Sequence, residues 1–285
     1  MSAVSQLQIG SARRVDLPLP GNGYLASLQV GDPADRPVLL LPGYTGSKED
    51  FGPVLDPLAD AGFFAIALDL PGQLESPGPA DPADYRPERL ADVVVAVASS
   101  LGRSILLLGH SFGGLVARAA VLAEPALFDS LVLLCSGPAA IGGRRRAEMD
   151  ALDPVLESAG LAAVYAAMQK GWQADPAWTP PPPDVAAFLE HRFLSGSPAM
   201  LRGMGDAIRA ERDRVAELAD APLPILVAHG VDDDAWPPQI QREMAERLGA
   251  QYVVIPDAAH SPAVENPAGT LAALLAFWSC ADSRG

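Results

Sequence analysis

The chain has 285 residues, a length that suits one large α/β domain with an insertion, and 49% of them are hydrophobic, which supplies ample core. Its formal charge of −15, from 35 acidic against 20 basic residues, argues against nucleic acid and anionic membrane surfaces as partners and disfavours strongly anionic substrates. No run approaches the ~20 apolar residues of a membrane helix, and the first twenty residues lack a charged start followed by an apolar core, so neither membrane insertion nor a signal peptide is expected and the default location is cytoplasmic.

The first elements, Gln6–Ile9, Arg14–Leu17 and Tyr24–Val30, read as strands of an antiparallel leading edge. From there Val38–Leu41, Phe63–Asp69, Ser104–Gly109, Leu131–Cys135, Pro224–His229 and Tyr252–Ile255 read as strands that alternate with helical segments. Uniformly apolar strands between helices predict an α/β fold, a mostly parallel central sheet flanked by helices. Pro79, Pro82 and Pro87 mark a surface loop, not a domain boundary. Asp92 interrupts the best apolar helix, Leu90–Leu101.

Leu106-Leu107-Leu108-Gly109-His110-Ser111-Phe112-Gly113-Gly114 is the most informative stretch. A short apolar strand enters Gly-x-Ser-x-Gly, and Leu115–Leu122 continues as a good helix. Strand, sharp turn and helix in that order are the context of a nucleophile elbow. A serine there sits in a sparsely allowed backbone conformation that lifts its hydroxyl clear of the sheet. Gly109 and Gly113 are expected because larger side chains would collide across the corner. The helix points its first N–H groups at the place where negative charge would develop.

Beyond Cys135 the alternation stops. Residues 138–221 hold no strand-like run, so 1–137 and 222–285 read as one core and 138–221 as a helical insertion. Asp184 is expected to cap a helix with Val185, Phe188, Leu189, Arg192 and Phe193 at helical spacing, and Ser197-Pro198 opens another. Pro180–Pro183 is a stiff spacer between them. The insertion carries Tyr165, Met168, Trp172, Trp178, Phe188, Phe193, Met200 and Met204, part of them core and part available to a substrate. Tyr165, Met168, Trp172, Phe188 and Met204 are the expected substrate contacts. Arg144-Arg145-Arg146 reads either as a solvated loop or as a clamp for a substrate carboxylate. Cys135 and Cys280 read as buried free thiols; with no metal-ligand spacing in the chain, neither metal nor cofactor is expected.

The elbow predicts partners downstream, an acid and then a histidine. Of four histidines, His110 sits beside the nucleophile facing away, His191 lies in a helix, and His229 closes the apolar run from Pro224 as a packed strand-end residue. His260 follows a strand on a loop, the placement a general base requires. The acid belongs after the preceding strand, where Asp232, Asp233 and Asp234 stand in a row.

Taken together these residues resemble a serine hydrolase of the α/β-hydrolase superfamily, from about Val38 to Trp278. Members similar to this chain carry Gly-x-x-Asp after the strand before the acid, with a proline a turn later. Gly230 and Pro237 set that register and select Asp233, with Asp232 ahead of Asp234 in reserve. Pro42-Gly43-Tyr44-Thr45-Gly46-Ser47 matches the oxyanion-hole loop, with Pro42-Gly43 where relatives have His-Gly. By position the donors are the backbone N–H groups of Tyr44 and Phe112. Asp69–Ser76 resembles the loop after the next strand, with Gln73 and Leu74 replacing the usual His-Gly, and Asp257–His260 with Glu265-Asn266-Pro267 resembles the histidine loop. The insertion looks like the helical cap of this superfamily. The resemblance implies hydrolysis of an ester, thioester or lactone with an apolar acyl or alcohol group through an acyl-enzyme on Ser111, with His260 as base and Asp233 orienting it. A carbon–carbon bond hydrolase acting on a diketone-like substrate, a cofactor-free perhydrolase or haloperoxidase, and a non-catalytic binding relative are the alternatives. An elbow aspartate would have marked an epoxide hydrolase or dehalogenase.

Overall fold

The computed structural model describes residues 5–21, 23–176 and 178–282, for 280–282 the backbone only. Its eight-stranded sheet has the order β1 (Arg13–Leu19), β2 (Gly23–Val30), β4 (Phe63–Leu68), β3 (Arg36–Leu41), β5 (Ile105–His110), β6 (Phe128–Leu134), β7 (Ile225–Gly230) and β8 (Gln251–Ile255). β1 and β2 pair antiparallel, as does β2 with β4; every other pairing is parallel. The predicted strands fall within a few residues of these, except Gln6–Ile9. That segment is a turn-rich lead instead, held to the first helix by Ser11, whose N–H and hydroxyl both donate to Asp56.

The apolar runs sort themselves by the two-residue period of a strand. Leu39, Leu41, Leu107, Leu133 and Val227 point to one face, Val38, Leu40, Leu106, Leu108, Val132 and Leu226 to the other, and all are at most 1% exposed. Helices α2 (Pro87–Ser100), α3 (Phe112–Ala123) and α8 (Pro238–Leu248) cover the first face through Val94, Leu115, Val116 and Met244. Helices α1 (Gly52–Asp60) and α9 (Pro267–Asp282) cover the second through Val54, Leu55, Leu58, Phe277 and Trp278. Burying each such side chain contributes about 1.5–3 kcal/mol, which makes this doubly covered sheet the rigid part of the molecule. Among the described residues no helix is long and apolar enough to cross a membrane.

Between β6 and β7 stand four helices, α4 (Gly143–Ala174), α5 (Pro183–Ser195), α6 (Pro198–Ala210) and α7 (Val215–Ala219). α4 is two helices joined at Gly160, whose φ of 75° and ψ of −173° lie in a region that only glycine adopts freely. Asp184 lies in the first turn of α5 and Pro182 is its cap, because the proline run already supplies the extended entry. Ser197 does cap α6, accepting from the Met200 N–H, with Pro198 at the first position. Val215 and Leu218 of α7 are buried in the same cluster as α3, and so are Met200, Met204, Ala207 and Ile208 of α6, so α4 and α5 are the part that stands off the sheet.

Both stems of that segment meet one buried side chain. Arg118, on α3, donates to the Pro138 carbonyl at 2.7 Å on the way out and to the Glu211 carboxylate at 2.6 Å on the way back. The stems also bond each other, Ala140 N–H to Glu211 O at 2.8 Å and Ile141 N–H to Ile208 O at 3.1 Å.

Candidate active site

Parallel strands end together at one edge of the sheet, where open α/β sheets collect their functional loops. Ser111 follows β5, Asp233 follows β7 and His260 follows β8. Ser111 has φ 53° and ψ −118°, a conformation that costs about 1–3 kcal/mol and persists because its surroundings enforce it. Its N–H donates to the Leu134 carbonyl of β6 at 2.8 Å. A Cβ on Gly109 would overlap the Gly113 carbonyl, and one on Gly113 would press on the carbonyls of Leu41 and Pro42. The two glycines of the motif are therefore demanded by backbone contacts on both sides of the serine.

The Ser111 hydroxyl donates to His260 Nε2 at 3.0 Å, and His260 Nδ1–H donates to Asp233 Oδ1 at 2.8 Å. Asp233 is 4% exposed, yet three donors satisfy it: His260, the Ala235 N–H at 3.0 Å and Gln241 Nε2 at 2.7 Å. Burial alone would raise its carboxyl, but these donors outweigh it and hold the group below the usual carboxylate range. The other two aspartates point elsewhere. Asp232 is exposed, and Asp234 pairs with Arg145 at 2.7 Å and Arg144 at 3.3 Å. Arg145 and Arg146 are partly buried, Arg146 donating to the Arg209 carbonyl at 2.7 Å, while Arg144 is exposed.

Three supporting residues were not visible as such in the sequence. Glu265 accepts from the N–H groups on either side of His260, Ala259 at 2.7 Å and Ser261 at 3.0 Å, and so grips the histidine loop. Gln241 reaches Asp233 from α8, eight residues on, at a spacing that carries no local signal. His110 Nε2–H donates to the His260 carbonyl at 2.6 Å. Burial, with His260 alongside, pushes the His110 imidazole down to about 4, so it is a neutral prop at neutral pH. His229 has both ring nitrogens engaged, by the Gly230 carbonyl and the Tyr252 hydroxyl at 2.7 Å each, and His191 lies exposed on α5.

Phe112 opens α3, so its N–H has no acceptor within the helix. Tyr44 lies on the loop after β3, and Gly43 lets that loop close on the serine: a Cβ there would stand 3.2 Å from the Ser111 Cβ. The Tyr44 hydroxyl donates to the Leu201 carbonyl of α6 at 2.6 Å, tying loop to helical segment, and Gly205 leaves room for it.

A narrow cleft lies between this loop and the helical segment, and Ser111 and His260 are not among its lining residues. Thr45, Gly46 and Gln73 bound it on one side and Leu161, Phe193 and Met200 on the other, with Arg192 beside them. Tyr165, Met168, Trp172, Phe188 and Met204 do not line it. Tyr165 is 6% exposed and packs its ring on Phe193 and Trp172, Met168 packs beside it, and Met204 is buried against the core. Phe188 stacks under the Arg192 guanidinium and Trp172 is exposed. Tyr165 and Met168 turn toward neighbouring helices, a choice that tertiary packing makes and periodicity does not reveal. Cys135 is a buried free thiol, raised by burial; the side chain of Cys280 lies outside the described residues. Ligand atoms of His110, Cys135 and His260 come within 4.8 Å of one another, but a cation there would have to displace the hydrogen bonds that position His260.

A family model described as "Alpha/beta hydrolase family" matches residues 38–274. The chain is 31% identical over 263 residues to a Variovorax paradoxus protein bearing the name carbamate hydrolase RutD, covering 90% of this chain and 97% of that one. It is 30% identical over 234 residues to the pimeloyl-[acyl-carrier protein] methyl ester esterase of Neisseria meningitidis, covering 80% and 72%. A carboxylesterase structure from Nitrososphaera gargenis superposes with a TM-score of 0.80 at 18% identity, covering 95% of this chain and all of that one, a likeness of fold.

Proposed function

The chain belongs to the alpha/beta hydrolase family, and on that premise we propose that it is a serine hydrolase that cleaves a carboxylic ester, thioester or lactone through an acyl-enzyme. The observation that carries this reading is the unbroken chain of hydrogen bonds from Ser111 through His260 to Asp233. His260 takes the serine proton as Ser111 Oγ attacks the carbonyl carbon. Asp233, kept ionised by its donors, stabilises the imidazolium and holds the ring in the tautomer that leaves Nε2 free to accept. The N–H groups of Tyr44 and Phe112 receive the oxyanion, and His260 returns the proton to the leaving group. Water then attacks the acyl group by the same route.

Residues 143–210 act in this reading as a cap, and the mainly apolar wall they give the cleft supports an apolar acyl or alcohol group. A carbamate presents the same carbonyl to the same attack, and the similarity to a protein named for that chemistry supports including it among the substrates tested. A fluorophosphonate probe is expected to label Ser111, and Ser111→Ala to lose both labelling and turnover on a panel of esters, thioesters, lactones and carbamates. Retained labelling of the alanine variant would overturn the assignment. Turnover of diketones in preference to esters, or strict dependence on hydrogen peroxide, would redirect it to carbon–carbon or perhydrolase chemistry.

A further inference from the structure

The first residues of the loop after β3 offer few groups of their own to hold the Gly43–Tyr44 peptide. Pro42 has no N–H to donate and Gly43 no side chain, while the Tyr44 hydroxyl is turned away to Leu201. The peptide between Gly43 and Tyr44 is secured at the Gly43 carbonyl, which accepts from the Gly46 N–H at 3.1 Å and from Gln73 Nε2 at 2.7 Å. Gln73 is 1% exposed and its amide is fully engaged. Oε1 accepts from the Leu70 N–H at 2.9 Å, and Nε2 makes a second, longer contact of 3.4 Å to the Tyr44 carbonyl. A backbone N–H on one side and two carbonyls on the other leave the amide a single orientation.

We propose that Gln73 is a positioning residue that aims the Tyr44 N–H at the oxyanion, an inference that rests on Tyr44 being an oxyanion donor. A peptide unit is planar and trans, so the Gly43 C=O and the Tyr44 N–H lie in one plane and point in opposite directions. Fixing one end fixes the other. Gln73 pulls on the carbonyl from the side of the 69–76 loop, which turns the N–H toward the serine side. Donation to a carbonyl also polarises the peptide and strengthens its N–H as a donor. An oxyanion donor works over a narrow range, about 2.7–3.1 Å, so a small rotation of this peptide forfeits the contact. Phe112 needs no such brace, because α3 orients its N–H.

Two variants test this. Gln73→Met keeps the bulk and removes the amide; Gln73→Glu keeps the acceptor for Leu70 but sets an oxygen against the Gly43 carbonyl. Active sites are titrated to completion with a fluorophosphonate, so that turnover is expressed per competent site on one activated ester. The expected result is a fall in kcat of about 10- to 100-fold in both, short of the 10²–10³ for losing a donor outright, with KM nearly unchanged. Affinity for a trifluoromethyl ketone, whose adduct carries the oxyanion, should fall in parallel. Turnover per titrated site within about twofold of the parent would overturn the proposal, as would a loss confined to the number of titratable sites. Ser111→Ala, measured alongside, separates the two levels: if it retains turnover the serine reading fails, and if it is inactive while the Gln73 variants are unimpaired only this inference fails.

Discussion

At the carboxyl edge of the sheet each candidate catalytic side chain is held from several directions at once, whereas α4 and α5 rest on a few contacts. Ser111 is wedged between two glycines pressed against backbone, Asp233 has three donors, and the His260 loop is gripped by Glu265 and His110. In α4, by contrast, only Val164 and Tyr165 are buried, and the helix breaks at Gly160. The difference separates two tasks. Proton transfer and oxyanion binding depend on tenths of an ångström and belong on a rigid scaffold; admitting and shaping a substrate tolerates a looser one.

The largest effect is expected at the acid. Asp233→Asn is expected to lower turnover by about 10⁴ at neutral pH, because the amide cannot hold the working tautomer of His260. Asp232→Asn and Asp234→Asn should retain most activity, since neither side chain faces the ring. A crippled Asp234→Asn would mean that the arginine pairing at the start of α4 governs the chemistry, and the two regions would no longer be separable.

Glycine substitutions sharpen it next. Gly109→Ala forces a Cβ into the Gly113 carbonyl and should destabilise by about 3 kcal/mol or more in denaturant titration, backbone having no rotamer with which to yield. Gly171→Ala, on the helical segment with nothing within 4 Å of its Cβ, should instead stabilise by about 0.5–1 kcal/mol.

Of intermediate size is a pH effect. His110 is held down to about 4 by burial and then by His260, well below the ordinary histidine value. Its contribution to stability is therefore complete above about pH 6.5 and is lost as pH falls toward 4, where the unfolded chain binds a proton that the folded one refuses. Asp69, which burial pushes up to about 6 against the pull of Lys48, titrates in the same window with the opposite sign. It does so with or without His110, so the difference between parent and His110→Gln isolates the histidine. Denaturation midpoints should separate the two proteins more at pH 7 than at pH 4.5, and a constant gap would refute the effect.

The smallest effect concerns the cleft. Each methylene buried against Leu161, Phe193 and Met200 is worth about 0.8 kcal/mol, so kcat/KM should rise about fourfold per carbon across a series of acyl esters until the cleft is full. A flat series would place the selective surface elsewhere on the helical segment.

The two regions also differed in what the sequence disclosed. Ser111 and His260 were legible because an elbow needs glycines at fixed spacing and a base needs a loop after a strand, both local requirements. The choice among the three aspartates came from the family's register, and composition alone left it open. Gln241, Glu265, Gln73 and His110 act across loops that only the folded sheet brings together. The strand reading at Gln6–Ile9 failed because an alternating tetrapeptide says nothing about whether a neighbouring strand exists to pair with it. Pocket residues are hard to read for a related reason: a helix with apolar residues at helical spacing has an inward face, but its sequence does not say whether inward means another helix or a substrate.

Arg118 gives the helical segment a meaning beyond its present shape. The chain leaves the sheet at Pro138 and returns at Glu211 to the same guanidinium. Closing a loop of any length at such a clasp adds only about 0.6 kcal/mol for each doubling of the residues between, so the sheet is nearly indifferent to how many stand in α4 and α5. Insertions, deletions or a wholesale exchange of residues 143–195, which pack in a cluster of their own, should leave the register of β6 and β7 and the spacing of Ser111, Asp233 and His260 intact. The molecule is in this respect modular, with a fixed centre at the sheet edge and an exchangeable fitting, α4 and α5, that α6 and the Arg118 clasp join to it.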